Sequence, residues 1–153
     1  LGTLICIVLR AKNLPNKARI GKQNPYCTVQ YGLHKKRTAT IERGGQQPEW
    51  DAEFRFEILR EGLGGEEQSE GRGAVVTREG GVMPVPTAAG TDAGGRVLRI
   101  ACWADDARDP KLIGEGELDF EGTIRSGKFD DWVPLARKGR YAGEVYLELT
   151  WYS

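Results

Sequence analysis

The side chains best suited to chemistry in this sequence are the three consecutive cations Lys35, Lys36 and Arg37. In a β-strand, alternation places Lys35 and Arg37 on one face and Lys36 on the other. Two cations on one face can contact the phosphates of an anionic lipid surface, where each contributes about 1 kcal/mol. The same run also suits a charged strand edge that discourages pairing with another chain, and the sequence leaves both interpretations open.

Residue patterns for catalysis, metal binding or redox chemistry are weak. His34 is the only histidine, and it is predicted to lie in a hairpin turn in contact with solvent. The three cysteines fall in apolar runs without CxxC spacing, so we expect buried reduced thiols at Cys6, Cys27 and Cys102. No helix is evident, and no glycine-rich phosphate loop precedes one. We therefore predict that the protein is not an enzyme and has no cofactor.

Strand signals separated by Gly, Pro and charge clusters dominate the elements that must position these side chains. Helical periodicity is nearly absent. About eight short strands are predicted, a pattern typical of an antiparallel β-sandwich. They cover 4–11, 25–31, 35–41, 54–58, 97–103, 112–120, 132–135 and 145–152.

One segment does not fit this pattern. With 153 residues, a single domain over 1–153 is expected, but residues 60–95 contain ten of the 21 glycines and few large apolar groups. We interpret 60–95 as a Gly-rich disordered insertion between two core strands. Such an insertion is tolerated because loop-closure entropy grows slowly with length. No signal peptide is evident, and no apolar run is long enough to span a bilayer.

An ordered set of motifs resembles C2 domains over nearly the whole chain outside the insertion. The set comprises GTLICIV (2–8), AKNLP (11–15), NPYCTV (24–29), RTATI (37–41), QPEWD (47–51) and LIGE (112–115). The resemblance implies an eight-stranded Greek-key C2 sandwich in the second of the two permuted topologies. More narrowly, LPNK (14–17), IGKQNPYC (20–27) and RGGQQPEW (43–50) are similar to the C2 domains of fungal "ingression" proteins, which act in cytokinesis.

The resemblance also implies where a calcium site would lie. C2 domains that bind calcium hold it with several carboxylates on two loops, because this hard cation takes several oxygens at once. The matching positions here are Ala18, Asn24, Trp103, Asp105 and Lys111, of which only Asp105 is acidic. We therefore expect no functional calcium site, although Asp106 and Asp109 offer further carboxylates if the loop rearranges. Asn24 is expected to bond to loop backbone, and Trp103 to fill the vacated site.

Cations replace the missing acids in the same loops. In C2 domains that bind phosphoinositides, basic residues alternate on one concave strand beside a tyrosine, and Lys35, Arg37 and Tyr26 match these positions. Ile20 is a candidate for insertion among lipid headgroups. The implied surface for an anionic lipid or a partner comprises Lys17, Arg19, Ile20, Lys22, Tyr26, Lys35, Arg37, Arg108 and Lys111.

The function that the resemblance implies is a calcium-independent C2 adaptor in fungal cytokinesis, acting through protein interaction at the division-site membrane. The alternatives are a calcium-independent module for anionic phospholipids and a C2 domain from an unrelated multidomain protein. The expected partners are cytokinesis proteins and, weakly, an anionic membrane surface, with no nucleic acid and no small-molecule substrate. The expected location is cytoplasmic and peripheral, at the plasma membrane or the division site.

Overall fold

The computed structural model describes residues 1–59, 95–106 and 108–153. The predicted insertion at 60–95 therefore lies almost entirely outside the described residues, and the expectation of one domain over 1–153 stays a prediction. The described elements are β1 (Gly2–Lys12), β2 (Pro25–Tyr31), β3 (His34–Arg37), β4 (Glu49–Ile58), β5 (Val97–Ala104), β6 (Lys111–Asp119), α1 (Glu121–Ser126), β7 (Lys128–Arg137) and β8 (Arg140–Tyr152). None of the described helices has the length and apolar character that a membrane crossing requires.

Hydrogen bonding joins the eight strands in the order β3-β2-β5-β6-β7-β8-β1-β4. The join between β6 and β7 is a single residue pair, Glu115 with Ala136, so the strands form two antiparallel layers of four. Glycine permits a close approach there, because a Cβ at Gly114 would lie 2.6 Å from the Cβ of Ala142. The predicted eight-stranded antiparallel β-sandwich is confirmed.

The chain separates into two compact units, which are 4–56 with 97–151, and 1–3 with 57–96 and 152–153. The first unit contains both charged loops and the strands β2, β3 and β5. In the second unit, the hydroxyl of Thr3 donates a hydrogen bond of 3.0 Å to Oε1 of Glu57.

The core of the larger unit includes the three thiols, which are free and buried as predicted. Cys27 on β2 lies directly opposite Cys102 on β5. Burial raises the pKa of the Cys6 thiol far above its ordinary value. A hydrogen bond with Cys102, together with burial, raises the pKa of the Cys27 thiol. The thiols of Cys6 and Cys27 are therefore neutral core groups rather than nucleophiles.

Strand β3 ends at Arg37, four residues before the predicted end at Ile41. The hydroxyl of Thr38 accepts a hydrogen bond of 2.9 Å from the backbone N–H of Cys27. A side chain thus takes the place that a backbone carbonyl would hold in a regular ladder. The hairpin turn is Gly32-Leu33, so His34 is the exposed first residue of β3 rather than a turn residue.

The prediction of no helix is wrong at α1. Its six residues are too few to show helical periodicity in the sequence. The carboxylate of Asp119 accepts a hydrogen bond of 2.9 Å from the N–H of Glu121 at the first turn. Gly127 ends the helix in the left-handed conformation, with φ of 96°.

Candidate anion-binding site

The side chain of Gln23 fixes the conformation of the first loop, which joins β1 to β2. It is 2% exposed, and its Oε1 accepts a hydrogen bond of 2.7 Å from the N–H of Lys17. Its Nε2 donates to the carbonyl oxygens of Pro15, at 2.9 Å, and Gly45, at 3.0 Å. Sequence reasoning missed Gln23, because a polar residue beside Asn-Pro gives no local signal of burial.

Asn24 connects the first loop to two other segments. Its side-chain Oδ1 accepts a hydrogen bond of 2.7 Å from the N–H of Arg43, which confirms the predicted bond to loop backbone. Its carbonyl oxygen accepts a hydrogen bond of 2.8 Å from the N–H of Asp105, in the loop after β5. Asn24 therefore places the two charged loops side by side.

The two loops enclose an open cavity of about 290 Å³. Both first-loop positions of the family calcium site, Ala18 and Asn24, line it. Ile20 also lines it and is 92% exposed. The charged side chains of the lining are four cations and two carboxylates: Lys17, Arg19, Lys22, Lys111, Asp105 and Asp106.

The carboxylates of this cavity already have partners within the protein. The Nζ of Lys111 lies 3.9 Å from Oδ2 of Asp106, and Oδ1 of Asp106 accepts a hydrogen bond of 3.0 Å from the N–H of Arg108. Arg108 and Asp109 are exposed and do not line the cavity. In the part of the chain that the structure describes, no group of three or more His, Cys, Asp or Glu residues is arranged to hold a metal ion.

Trp103 lies outside this cavity, so the expectation that it fills the vacated calcium site is wrong. Strand β5 extends through Ala104, and Trp103 is therefore still a strand residue, paired with Tyr26. Its ring lies parallel to that of Tyr26 at 6.4 Å between centroids. Its indole N–H donates a hydrogen bond of 3.2 Å to the hydroxyl of Thr28.

Cations of β3 lie over two aromatic rings, those of Tyr26 on β2 and Trp103 on β5. The Cζ of Arg37 lies 3.6 Å from the ring centroid of Tyr26, and the Nζ of Lys35 lies 5.8 Å from that of Trp103. Lys36 instead reaches the ring of Phe56, at 6.0 Å. The predicted placement of Lys35 and Arg37 on one face, with Lys36 on the other, is confirmed.

A groove of about 360 Å³ follows this face beside Trp103, Thr28 and Lys35. Arg99 on β5 also lines it, and its Nη2 lies 3.5 Å from Oε2 of Glu117 on β6. Sequence reasoning missed Arg99, although alternation along β5 places it on the same face as Trp103. The groove therefore contains two cations, Lys35 and Arg99, and two carboxylates, Glu115 and Glu117, of which Glu117 opposes Arg99.

Arg37 and Asp105 connect the groove face to the loop cavity. The Nη2 of Arg37 lies 3.7 Å from Oδ2 of Asp105 and donates a hydrogen bond of 2.7 Å to the hydroxyl of Thr40. That hydroxyl donates in turn to Oδ2 of Asp105, at 3.3 Å. The guanidinium thus contacts an aromatic ring, a hydroxyl and a carboxylate at once.

Comparison with known sequences finds similarity to one domain family. Residues 2–69 match the model of the C2 domain family. Over 149 residues, the chain is 31% identical to ingression protein fic1 of Schizosaccharomyces pombe (strain 972 / ATCC 24843). The aligned region covers 97% of this chain and 43% of fic1, so the chain spans less than half the length of the curated relative it matches.

Comparison with solved structures gives the same fold. A calcium-bound pair of C2 domains from Extended-Synaptotagmin 2 matches with a TM-score of 0.69 and 17% identity, over 98% of this chain and 45% of that one. A single C2 domain of plant Extended Synaptotagmin 1 matches with a TM-score of 0.66 and 17% identity, over 98% of this chain and 93% of that one. At this identity the similarity shows the fold alone.

Proposed function

We propose that this chain is a C2 domain, in line with its fold and with the match of residues 2–69 to the C2 family model, and that it is a calcium-independent adaptor in fungal cytokinesis. It acts through protein interaction at the division-site membrane and carries out no catalysis. The observation that carries the proposal is the likeness to ingression protein fic1, which extends over 97% of the chain.

Calcium independence is supported by the donor set of the loop cavity. Of the five family ligand positions, Asp105 alone has a carboxylate, and that carboxylate lies beside Arg37. Asn24 offers no free side-chain oxygen, because its Oδ1 accepts from the N–H of Arg43. Four cations line the cavity, and their charge disfavours a dication.

The adaptor proposal predicts enrichment of the protein at the division site. Expressed in fission yeast as a fluorescent fusion, the chain is expected to concentrate at the division site in dividing cells. A control variant, Lys128→Glu, changes an exposed charge away from the loops. It is expected to concentrate at the division site as strongly as the wild type. A signal spread evenly through dividing cells, with the fusion intact, would contradict the adaptor role.

A second candidate function is calcium-independent binding to anionic phospholipid. The observation that favours it is the placement of Lys35 and Arg37 on one face, above Trp103 and Tyr26. Arg99 adds a third cation to this face. Exposed Ile20 adds one apolar contact at the loop cavity. Alone it is a weak membrane anchor, because stable attachment to a membrane generally takes two signals.

Vesicle co-sedimentation tests this second function. The protein is expected to bind vesicles containing phosphoinositide equally in EDTA and in millimolar calcium, and to lose about 10-fold or more in affinity on Lys35→Glu with Arg37→Glu. The matched control, Lys36→Glu with Lys128→Glu, has the same charge change away from this face. Equal binding by the two double variants, or no binding by the wild type, excludes the lipid function.

A further inference from the structure

The acidic side chains beside the groove cations have no role in the functions proposed so far. Three cations on or near the two sites each have a carboxylate within 4.0 Å, in the pairs Arg37–Asp105, Arg99–Glu117 and Lys111–Asp106. Exposed pairs of this kind contribute little to stability. They do, however, neutralise the charges that an anionic ligand would need.

We propose that Asp105 is a built-in competitor of the anionic ligand, and that its carboxylate marks a phosphate site formed by Arg37 and Thr40. The proposal rests on the lipid-binding candidate function and names the site within it. A bound phosphate displaces the carboxylate of Asp105. It then contacts the two groups that the carboxylate faced, the Nη2 of Arg37 and the hydroxyl of Thr40.

The geometry around Arg37 supports an exchange of one anion for another. Its guanidinium is held against the ring of Tyr26 at 3.6 Å from the centroid, so it keeps its position when its anionic partner changes. Asp105 has only a long contact to Arg37, at 3.7 Å, and its side chain is 42% exposed. The carboxylate can therefore turn into water at low cost, whereas the backbone of Asp105 stays bonded to Asn24.

Thr40 is the residue whose role distinguishes this site from a diffuse basic patch. Its hydroxyl lies between the two charged groups, at 2.7 Å from Nη2 of Arg37 and 3.3 Å from Oδ2 of Asp105. When a phosphate oxygen replaces the carboxylate, the same hydroxyl donates to it. Phosphate oxygens accept strong charge-assisted hydrogen bonds from such donors.

The test measures affinity for phosphoinositide vesicles in four single variants. Asp105→Asn is expected to bind about 5-fold more tightly than the wild type, because one opposing charge is removed. The matched control Asp109→Asn removes the same charge from the same loop, and among the described residues Asp109 has no ion-pair partner. Its gain in affinity is expected to be smaller than that of Asp105→Asn by at least 2-fold. Thr40→Val is expected to bind several-fold more weakly, whereas Thr150→Val, on β8, is expected to bind like the wild type.

The same two substitutions in an Arg37→Ala background show whether the effect of Asp105 depends on its contact with Arg37. There, Asp105→Asn and Asp109→Asn are expected to give equal affinities, because the cation for which Asp105 competes is gone. A soluble inositol phosphate tests whether the site binds the phosphate group itself or needs the membrane. If the inositol phosphate displaces the protein from vesicles, and does so at a lower concentration for Asp105→Asn than for the wild type, the phosphate site is supported.

Two results would overturn the inference. In the first, Asp105→Asn and Asp109→Asn bind vesicles with equal affinity, and the wild type still binds them better than the Lys35→Glu, Arg37→Glu variant. In that case the lipid function stands and the competitor role alone fails. The other is absence of binding by every variant to both vesicles and inositol phosphate, in which case both fail.

Discussion

Single residues in this domain decide whether its loops hold a shape without a metal ion. In a loop held by calcium, the ion itself supplies several strong contacts. Here the side chain of Gln23 bonds three backbone groups from two segments, and Asn24 bonds a fourth, the N–H of Arg43. These amides give the first loop neutral internal contacts, so its lysines and arginine are left to face the solvent.

Replacement of Gln23 tests this account at the level of one side chain. Gln23→Ala leaves the part-buried N–H of Lys17 and two carbonyl groups without their partner, and each unsatisfied group costs about 1–3 kcal/mol unless water reaches it. We expect the free energy of unfolding, measured by urea denaturation, to fall by about 2 kcal/mol.

The matched control for this measurement is Gln46→Ala, since Gln46 is exposed in the neighbouring loop and its side chain has no hydrogen bond to any described residue. Its effect is expected to stay within about 0.5 kcal/mol. Equal stabilities of the two variants would show that Gln23 does not hold the loop.

The resemblance named five positions for a calcium site, but the sequence did not show what surrounds each of their side chains. Ala18, Asn24, Asp105 and Lys111 all line one cavity, as the resemblance implied. Trp103 does not, because β5 continues through Ala104 and keeps Trp103 on the groove face with Arg99, which the resemblance did not show. The partnership of Arg37 with Asp105 joins residues 68 positions apart, and no pattern along the chain could show it.

At the scale of elements, strand-forming residues bounded by turn signals predicted β2 best, and the first five residues of this strand are all buried. β2 was predicted with both its ends correct. β4 begins at Glu49, five residues earlier than predicted, because its exposed charged positions hide the pattern of the strand. The short helix α1 and the early end of β3 depend on individual hydrogen bonds, from Asp119 and Thr38, which periodicity does not contain.

At the scale of the whole molecule, equal numbers of acidic and basic residues conceal a local imbalance. Residues 1–59 contain ten Lys and Arg against five Asp and Glu. They supply the first loop and β3, and so most of the cations of both candidate surfaces. The remaining chain supplies Asp105, which opposes Arg37. It also supplies Glu117 and Asp106, which oppose its own cations Arg99 and Lys111. The balance of these groups, rather than the net charge, sets how strongly an anionic surface attracts this domain.

The same balance predicts how the whole domain responds to calcium. A ligand that binds only the folded state at 100 times its Kd stabilises it by about 2.7 kcal/mol, which would raise the Tm by several degrees. We expect millimolar calcium to leave the Tm unchanged, because cations outnumber carboxylates around the loop cavity. Magnesium serves as the ion control.

A variant that restores the family carboxylates shows whether charge alone is responsible. Ala18→Asp, Asn24→Asp and Lys111→Asp together place three carboxylates in the cavity that Asp105 and Asp106 already line. Since the carboxylate introduced by Asn24→Asp would keep an oxygen for the N–H of Arg43, the loop shape should survive, and we expect the Tm of this variant to rise with calcium but not with magnesium. A calcium-specific rise of several degrees in the wild type would instead show that Asp105, Asp106 and the loop carbonyls suffice to bind the ion, and that the domain is calcium-regulated.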